Sequence, residues 1–208
     1  FVKAALLKGK HVVTSNKALV AAHGTELLRI AREKKVNFFF EAAVGGGIPV
    51  IRTLGTGYQG QVITEITGIL NGTTNYILTR MDREGAEFGD VLADAQRLGY
   101  AERNPEADIE GHDSCRKIAI LSSLVTGKEV NFEDVYTEGI SKIDSTDFRY
   151  ASELRASIKL VGSAQFAGDQ VTVSVFPLLV SDENPLYAVH GVYNGIVIKG
   201  NLLGTTML

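Results

Sequence analysis

The 208-residue sequence holds one cysteine, Cys115, so it builds no internal disulfide framework, and a reducing compartment, the cytoplasm, is expected. It has no apolar run near the roughly 20 residues that a membrane helix needs, and no membrane partner is expected. Positive charge is not in excess. The 21 Lys and Arg against 24 Asp and Glu leave a net charge of −3, so no nucleic-acid partner is expected either. The four histidines lack metal-ligand spacing, which argues against zinc. No internal repeat and no low-complexity segment occurs. What is present, 45% hydrophobic residues with 22 Gly and only 4 Pro, is enough for one sizeable core. The start, FVKAALLKGK, lacks an initiating Met and a signal cleavage site, and NLLGTTML at the end lacks a polar tail. Both ends are therefore expected to lie inside a longer protein.

The first forty residues read as helix, strand, helix, strand. Val2 to Leu7 ends a helix at Gly9, HVVTS is a short β-branched run, and Lys17 to Lys35 spaces Leu19, Val20, Leu27, Leu28 and Ala31 helically. VNFFFEA then predicts a buried strand. Such alternation points to a parallel α/β sheet. After Glu41 the pattern changes. VGGGIP is a turn into a short helix with Pro49 in its first turn, and QVITEITGIL is a strand. NGTTNYILTRM is a capped helix, and further helices are expected at 88–98 and from His112 onward. SIKLVGSAQF and QVTVSVFPLLV, separated by Ala-Gly-Asp, predict a hairpin, and NGIVIKG predicts one more strand.

GTGYQG, residues 55–60, matches a dinucleotide-binding glycine pattern, but that chemistry needs a strand before it and a helix after it. Here the order is reversed, and a surface turn is expected.

The densest charge lies in GYAERNPEADIEGHDSCRK, residues 99–117. Five carboxylates, at Glu102, Glu106, Asp108, Glu110 and Asp113, run into Arg116 and Lys117. On spacing alone, Asp113 and Lys117 read as a helix-surface i,i+4 pair worth about 0.2–0.5 kcal/mol. Pro105, Gly111 and the apolar KIAIL run add weight to a second reading, which on spacing alone stays the lesser one, in which carboxylates hold an ammonium and the lysine exchanges a proton with a substrate oxygen. Thr14, Ser15, Asn16 and Lys17 sit at the carboxyl end of a strand, where α/β proteins bind ligands, although a plain helix cap satisfies the same residues. NGTT offers helix N-terminal amides or simply a cap. Glu41 beside GGG reads as a structural turn or as a cation site with turn carbonyls. Cys115 reads as a small buried thiol.

Taken in order, HVVTSNKALVAAHG, NFFFEAAVGGGIPVIRTL, GILNGTTNYILTRM, LGYAERNPEADIEGHDSCRKIAIL and NPLYAVHGVYNGIVIKG resemble homoserine dehydrogenase over essentially the whole chain. The resemblance implies an α/β and α+β fold: residues 1–40 as the edge of a Rossmann-like parallel sheet, and 41–208 as a mixed-sheet substrate-binding, catalytic and dimerisation domain. It implies NAD(P)-dependent interconversion of L-homoserine and L-aspartate 4-semialdehyde in threonine, methionine and isoleucine biosynthesis, by a homodimer. The family's glycine-rich nucleotide loop is absent, so the main site for NADP or NAD is expected outside this chain. By the same resemblance Lys117 and Lys17 are the catalytic lysines. Glu102 and Asp113 hold the substrate amino group with Asp108 and Tyr100 alongside, Gly72 and Thr73 contribute through the NGTT backbone, and Thr14, Ser15 and Asn16 approach the nicotinamide. Glu106 and Glu110 are left as solvated surface. Glu41 and the carbonyls of Val44, Gly46 and Ile48 hold a monovalent cation such as sodium. Two other readings remain open. One is a dimerising amino-acid-binding module, inactive without the cofactor domain. The other is a semialdehyde dehydrogenase, which would need Cys115 as nucleophile.

Overall fold

The periodicity of the first forty residues becomes a small parallel unit. In the computed structural model, which describes residues 1–208, helix α1 (Val2–Leu7) leads to strand β1 (Val12–Val13), helix α2 (Lys17–Lys34) and strand β2 (Phe38–Phe39). β1 and β2 pair in parallel, Val12 with Phe38 and Val13 with Phe39. Each has only the other for a neighbour, and the regular pairing stops at two residues, shorter than the β-branched runs predict. Phe38 and Phe40 are buried while Phe39 faces outward, the alternation of a strand with one face on the core. α2 buries Val20, Leu27, Ile30 and Ala31 on one stripe, with Leu19 and Leu28 packed partly against it.

Residues 41–43 form one 3₁₀ turn, and α3 (Val50–Arg52) starts at Pro49 and continues as a π-helical turn over 53–57. GTGYQG therefore ends a helix and precedes strand β3 (Ile63–Ile69), as the reversed order predicts. It is not wholly a surface turn, because Tyr58 is buried and its hydroxyl bonds Thr206.

Helices α4 (Gly72–Glu84), α5 (Phe88–Arg97), α6 (Glu106–Ile109) and α7 (His112–Thr126) follow, then β4 (Tyr136–Thr137), α8 (Ser145–Glu153), β5 (Ala156–Ala167), β6 (Gln170–Ser181), β7 (Gly195–Gly200) and β8 (Gly204–Met207). The second sheet has the order β4-β6-β5-β3-β7-β8, antiparallel throughout except for β4 beside β6. The predicted β5–β6 hairpin is present, closed by Gly168 and Asp169, with Gly168 at φ +61° supplying the positive φ of a two-residue loop. Pro177 sits in β6 without breaking a ladder, because β4 pairs only with Ser174 and Val175 and leaves that edge free at 177. Gly162 on β5 is where α7 comes close. A Cβ there would lie 3.0 Å from Leu70 Cδ1 and 3.3 Å from Ile118 Cβ.

Sequence reading passes over four elements. β4 pairs only two residues with β6. α6 is a single turn. α8 carries a capping box, Asp144 and Asp147 exchanging hydrogen bonds, that was legible as DSTD. β8 lies in the apolar tail. One core of 32 residues joins α1, α2 and β2 to α4, α7 and the large sheet, and a second group packs Ile69, Val161, Val180 and Val197 of the sheet against Leu186 and Val189 at the 3₁₀ turn of residues 185–188.

Candidate active site

Three chain breaks converge on one buried carboxylate. Asn16 caps α2 by accepting a hydrogen bond from the Leu19 amide (3.0 Å), which places Lys17 in the first turn at the carboxyl end of β1. Asn71 caps α4 immediately after β3, its Oδ1 accepting from the Thr74 amide at 2.9 Å. Gly111, at φ +82°, turns the chain from α6 into α7 and puts Asp113 in the first turn of α7. Asp113 retains 3% of its side-chain exposure and accepts hydrogen bonds from Lys17, Lys117 and Asn71.

The geometry around it is specific. Lys117 Nζ donates to Asp113 Oδ2 at 2.7 Å and to the Leu70 carbonyl at 2.6 Å, tying α7 to the end of β3. Asp113 is buried and Lys117 keeps only 15% of its side-chain exposure, which overturns the helix-surface reading of the same i,i+4 spacing. Lys17, 42% exposed, reaches Asp113 from the opposite side. Asn71 Nδ2 bridges the two acids, donating to Asp108 Oδ1 at 2.7 Å and Asp113 Oδ2 at 3.0 Å. Sequence reading treats Asn71 as a cap only. Nothing in the local sequence marks its other amide end, because the partners lie 37 and 42 residues away.

The two acids titrate in opposite directions. Burial pushes the Asp113 carboxyl up, but the neighbouring Lys117 ammonium, with hydrogen bonds from Lys117, Lys17 and Asn71, holds it below the usual carboxylate range. Burial also pushes Asp108 up. The Asn71 amide opposes this, the Asp113 charge adds to it, and Asp108 ends above the usual value. The site thus holds one firmly ionised acid and one acid that gains from a cation. An incoming ammonium suits Asp108.

The remaining predicted residues fall into two groups. Thr73 donates from Oγ1 to the Tyr100 carbonyl at 2.6 Å, and the Tyr100 ring lies 5.0 Å from that of Tyr76, so this wall is joined to α4. Gly72 opens α4 where no side chain fits, since a Cβ would stand 2.7 Å from the Val192 carbonyl oxygen. Thr14 accepts from the Asn16 amide at 3.1 Å, and Ser15 is exposed beside it. Glu102 stands apart. It is exposed, and only its backbone carbonyl is engaged, by Gln96. Glu106 is exposed as expected, while Glu110 is half-buried over Gly139, where a Cβ would meet its Oε2 at 2.8 Å. Glu41 acts as a helix cap, Oε1 accepting from the Ile51 amide and Oε2 from the Arg52 amide, both at 2.9 Å. The Ile48 carbonyl accepts from Val50, while those of Val44 and Gly46 accept no hydrogen bond. Cys115 is buried, its Sγ donating to the Phe132 carbonyl at 3.2 Å, and burial pushes its thiol up, the opposite of an activated nucleophile.

A cavity of about 540 Å³ lies away from these groups, walled by Leu28, Ile51, Leu54, Leu124 and Phe166. The chemistry-bearing residues gather instead around Asp113.

A family model described as homoserine dehydrogenase matches residues 49–208. The homoserine dehydrogenase of Bacillus subtilis (strain 168) is 46% identical over 203 residues, covering 98% of this chain and 47% of that protein. The crystal structure of a homoserine dehydrogenase from Thiobacillus denitrificans matches with a TM-score of 0.94 and 46% identity, over 99% of this chain and 48% of that one. A hyperthermophilic archaeal homoserine dehydrogenase in complex with NADPH matches with a TM-score of 0.85 and 34% identity, over 100% of this chain and 60% of that one. The chain spans about half the length of the curated relatives it matches. Sequence and fold agree along the same residues, and the chain belongs to the homoserine dehydrogenase family.

Proposed function

We propose that the protein containing this chain is a homoserine dehydrogenase, reversibly interconverting L-homoserine and L-aspartate 4-semialdehyde with NADP or NAD in the biosynthesis of threonine, methionine and isoleucine. The observation that carries the reading is the Lys17–Asp113–Lys117 cluster, bridged to Asp108 by Asn71. It offers an acid for a substrate ammonium and a half-buried lysine for a substrate oxygen, as this chemistry needs.

Asp108 takes the amino group, joined by the exposed carboxylate of Glu102, which has no side-chain partner of its own. Lys117 gives a proton to the substrate oxygen as the aldehyde is reduced and takes it back in oxidation. Asp113 fixes its Nζ for that exchange. Lys17 is the second lysine, free to leave Asp113 for the substrate because it is half-exposed. The NGTT turn, with Gly72 and Thr73, forms the wall beside Tyr100. The cofactor, when bound, supplies or accepts the hydride. Thr14, Ser15 and Asn16 fit its nicotinamide end, because Lys17 next to them already reaches the carboxylate cluster. The NADPH bound in the archaeal relative supports this use. A monovalent cation is proposed at the Val44 and Gly46 carbonyls, which no amide engages. Glu41 would join with its remaining lone pairs, and the Ile48 carbonyl would need to be shared with Val50.

The protein acts as a homodimer in the cytoplasm. The exposed Leu178, Leu179, Val192 and Tyr193 in the strand-rich last third support a subunit contact, and the free thiol of Cys115 suits a reducing environment.

The experiment is turnover of L-homoserine with NADP⁺ by the full-length protein, with Lys117→Ala alongside. Loss of a general acid/base lowers kcat by about 10²–10⁴-fold, with KM changed much less. Near-normal kcat in Lys117→Ala would remove that lysine from the chemistry, and no turnover by the wild type would sink the assignment.

A further inference from the structure

Lys159, in the middle of β5, is 1% exposed and has no carboxylate partner within ion-pair distance. Burying an ammonium without a counter-charge is costly, and an aliphatic side chain would fill a core position at lower cost. Its Nζ donates to the Val189 carbonyl at 2.7 Å and the Asn75 Oδ1 at 3.4 Å, and lies 3.3 Å from His190 Nδ1. All three partners belong either to α4 or to the segment that runs from the 3₁₀ turn at 185–188 into β7.

That segment is held at several points, and the points converge on α4. Asn75, buried in the second turn of α4, donates its amide to the Val189 and Tyr193 carbonyls at 3.3 and 3.0 Å. Its Oδ1 faces Lys159, which fixes which end of the amide points where. Thr79, one turn further, donates to the Asn75 carbonyl and accepts from the Gly191 amide at 3.0 Å. Gly191 turns the chain at φ +63°. The segment then passes so close to α4 that a Cβ on Gly72 would lie 2.7 Å from the Val192 carbonyl oxygen. Gly72 is bonded to Asn71, whose amide holds Asp108 and Asp113.

We propose that Lys159 is a positioning residue for the amino-acid site: it clamps residues 189–193 onto the first turns of α4 and thereby sets the NGTT turn and the Asn71 bridge. Burial pushes its amine down to about 8, Asp82 opposing and Arg83 adding to the shift, and burial with the nearby Lys159 also lowers His190. The tether survives either charge state, because a neutral amine still has two N–H groups for Val189 and Asn75. The inference rests on the dehydrogenase reading and names a residue outside that site which tunes it.

The test is steady-state kinetics of the full-length protein with L-homoserine and NADP⁺. Lys159→Met should raise KM for homoserine about 10- to 100-fold and that for NADP⁺ by less than about twofold, because only the amino-acid wall shifts. Gly72→Ala pushes the same segment from the other side. The double variant should therefore raise KM no further than the worse single one. A folded Lys159→Met with unchanged homoserine KM, equal losses for both substrates, or effects that multiply in the double variant would each overturn the proposal. Should Lys159→Met not fold, Thr79→Val, which loses the Gly191 anchor and the hydroxyl bond to the Asn75 carbonyl, decides: the same split supports the clamp and an unchanged homoserine KM refutes it. A wild type inert toward homoserine overturns both readings; normal wild-type turnover with a silent Lys159→Met overturns this one alone.

Discussion

Replacing Asp113 with Asn tests whether the cluster is held by charge. The substitution keeps shape but removes the only carboxylate that Lys117 touches and the one Lys17 reaches. Taking away one member of a buried ion pair typically costs about 3–5 kcal/mol. Two features reduce that here. Lys117 keeps the Leu70 carbonyl at 2.6 Å, and Lys17, 42% exposed, can turn into water. We expect about 2–3 kcal/mol of lost stability after that solvent discount, or a fall in Tm of roughly 4–12 °C for a chain of this size. Urea unfolding followed by far-UV circular dichroism measures it, since the chain has no tryptophan. The pH dependence gives the sharper reading. Asp113 titrates below the usual carboxylate value in the folded state. Its contribution is therefore complete above the ordinary carboxylate pKa and fades as pH falls through the folded one. The gap between wild type and Asp113→Asn should shrink in acid, and a gap that is constant with pH, or one below about 0.5 kcal/mol at neutral pH, would refute a charge-held cluster.

Asp108→Asn should behave differently. The folded Asp108 carboxyl sits above its usual value, so its ionisation costs stability as pH rises from the ordinary carboxylate range through the folded pKa; neutral-pH stability should stay within about 1 kcal/mol of wild type or rise, while homoserine KM increases. Cys115→Ser should leave kcat nearly unchanged, and the wild-type thiol should react slowly with alkylating reagents until denaturant exposes it, because the group is buried and its pKa raised. Gly139→Ala should destabilise by more than about 2 kcal/mol in urea unfolding, since its Cβ would lie 2.2 Å from the Ile109 carbonyl oxygen and 2.4 Å from Glu110 Cα, backbone that cannot swing aside.

Much of the fold was legible because its signals are local. The α2 stripe, the β5–β6 hairpin at Gly168-Asp169, the reversed order around GTGYQG and the caps at Asn16 and Asn71 all depend on neighbours a few residues away. α8 is marked just as locally, by the capping box of Asp144 and Asp147. The tail strand β8 is not, because four residues against β7 form a strand only when β7 is beside them.

The site divides along the same line. Its residue types were on view in SNK, NGTT and the acidic run, and long motif likeness assigned them roles. Burial was not on view. The same Asp113–Lys117 spacing describes a solvated pair or a buried one, and only the packing of α7 against β3 and α2 makes it buried. Nor could five nearby acids be sorted by spacing. The structure sets Asp113 and Asp108 on one amide, leaves Glu102 and Glu106 in solvent, and lays Glu110 over Gly139. By itself the sequence determined most of the elements, the family and the candidate chemistry, because periodicity, caps and motifs act over short range. Which acid is pushed up and which down, which lysine is held, and that Lys159 grips a segment 30 residues away were decided by tertiary structure, because desolvation and hydrogen bonding depend on what folds around each charge.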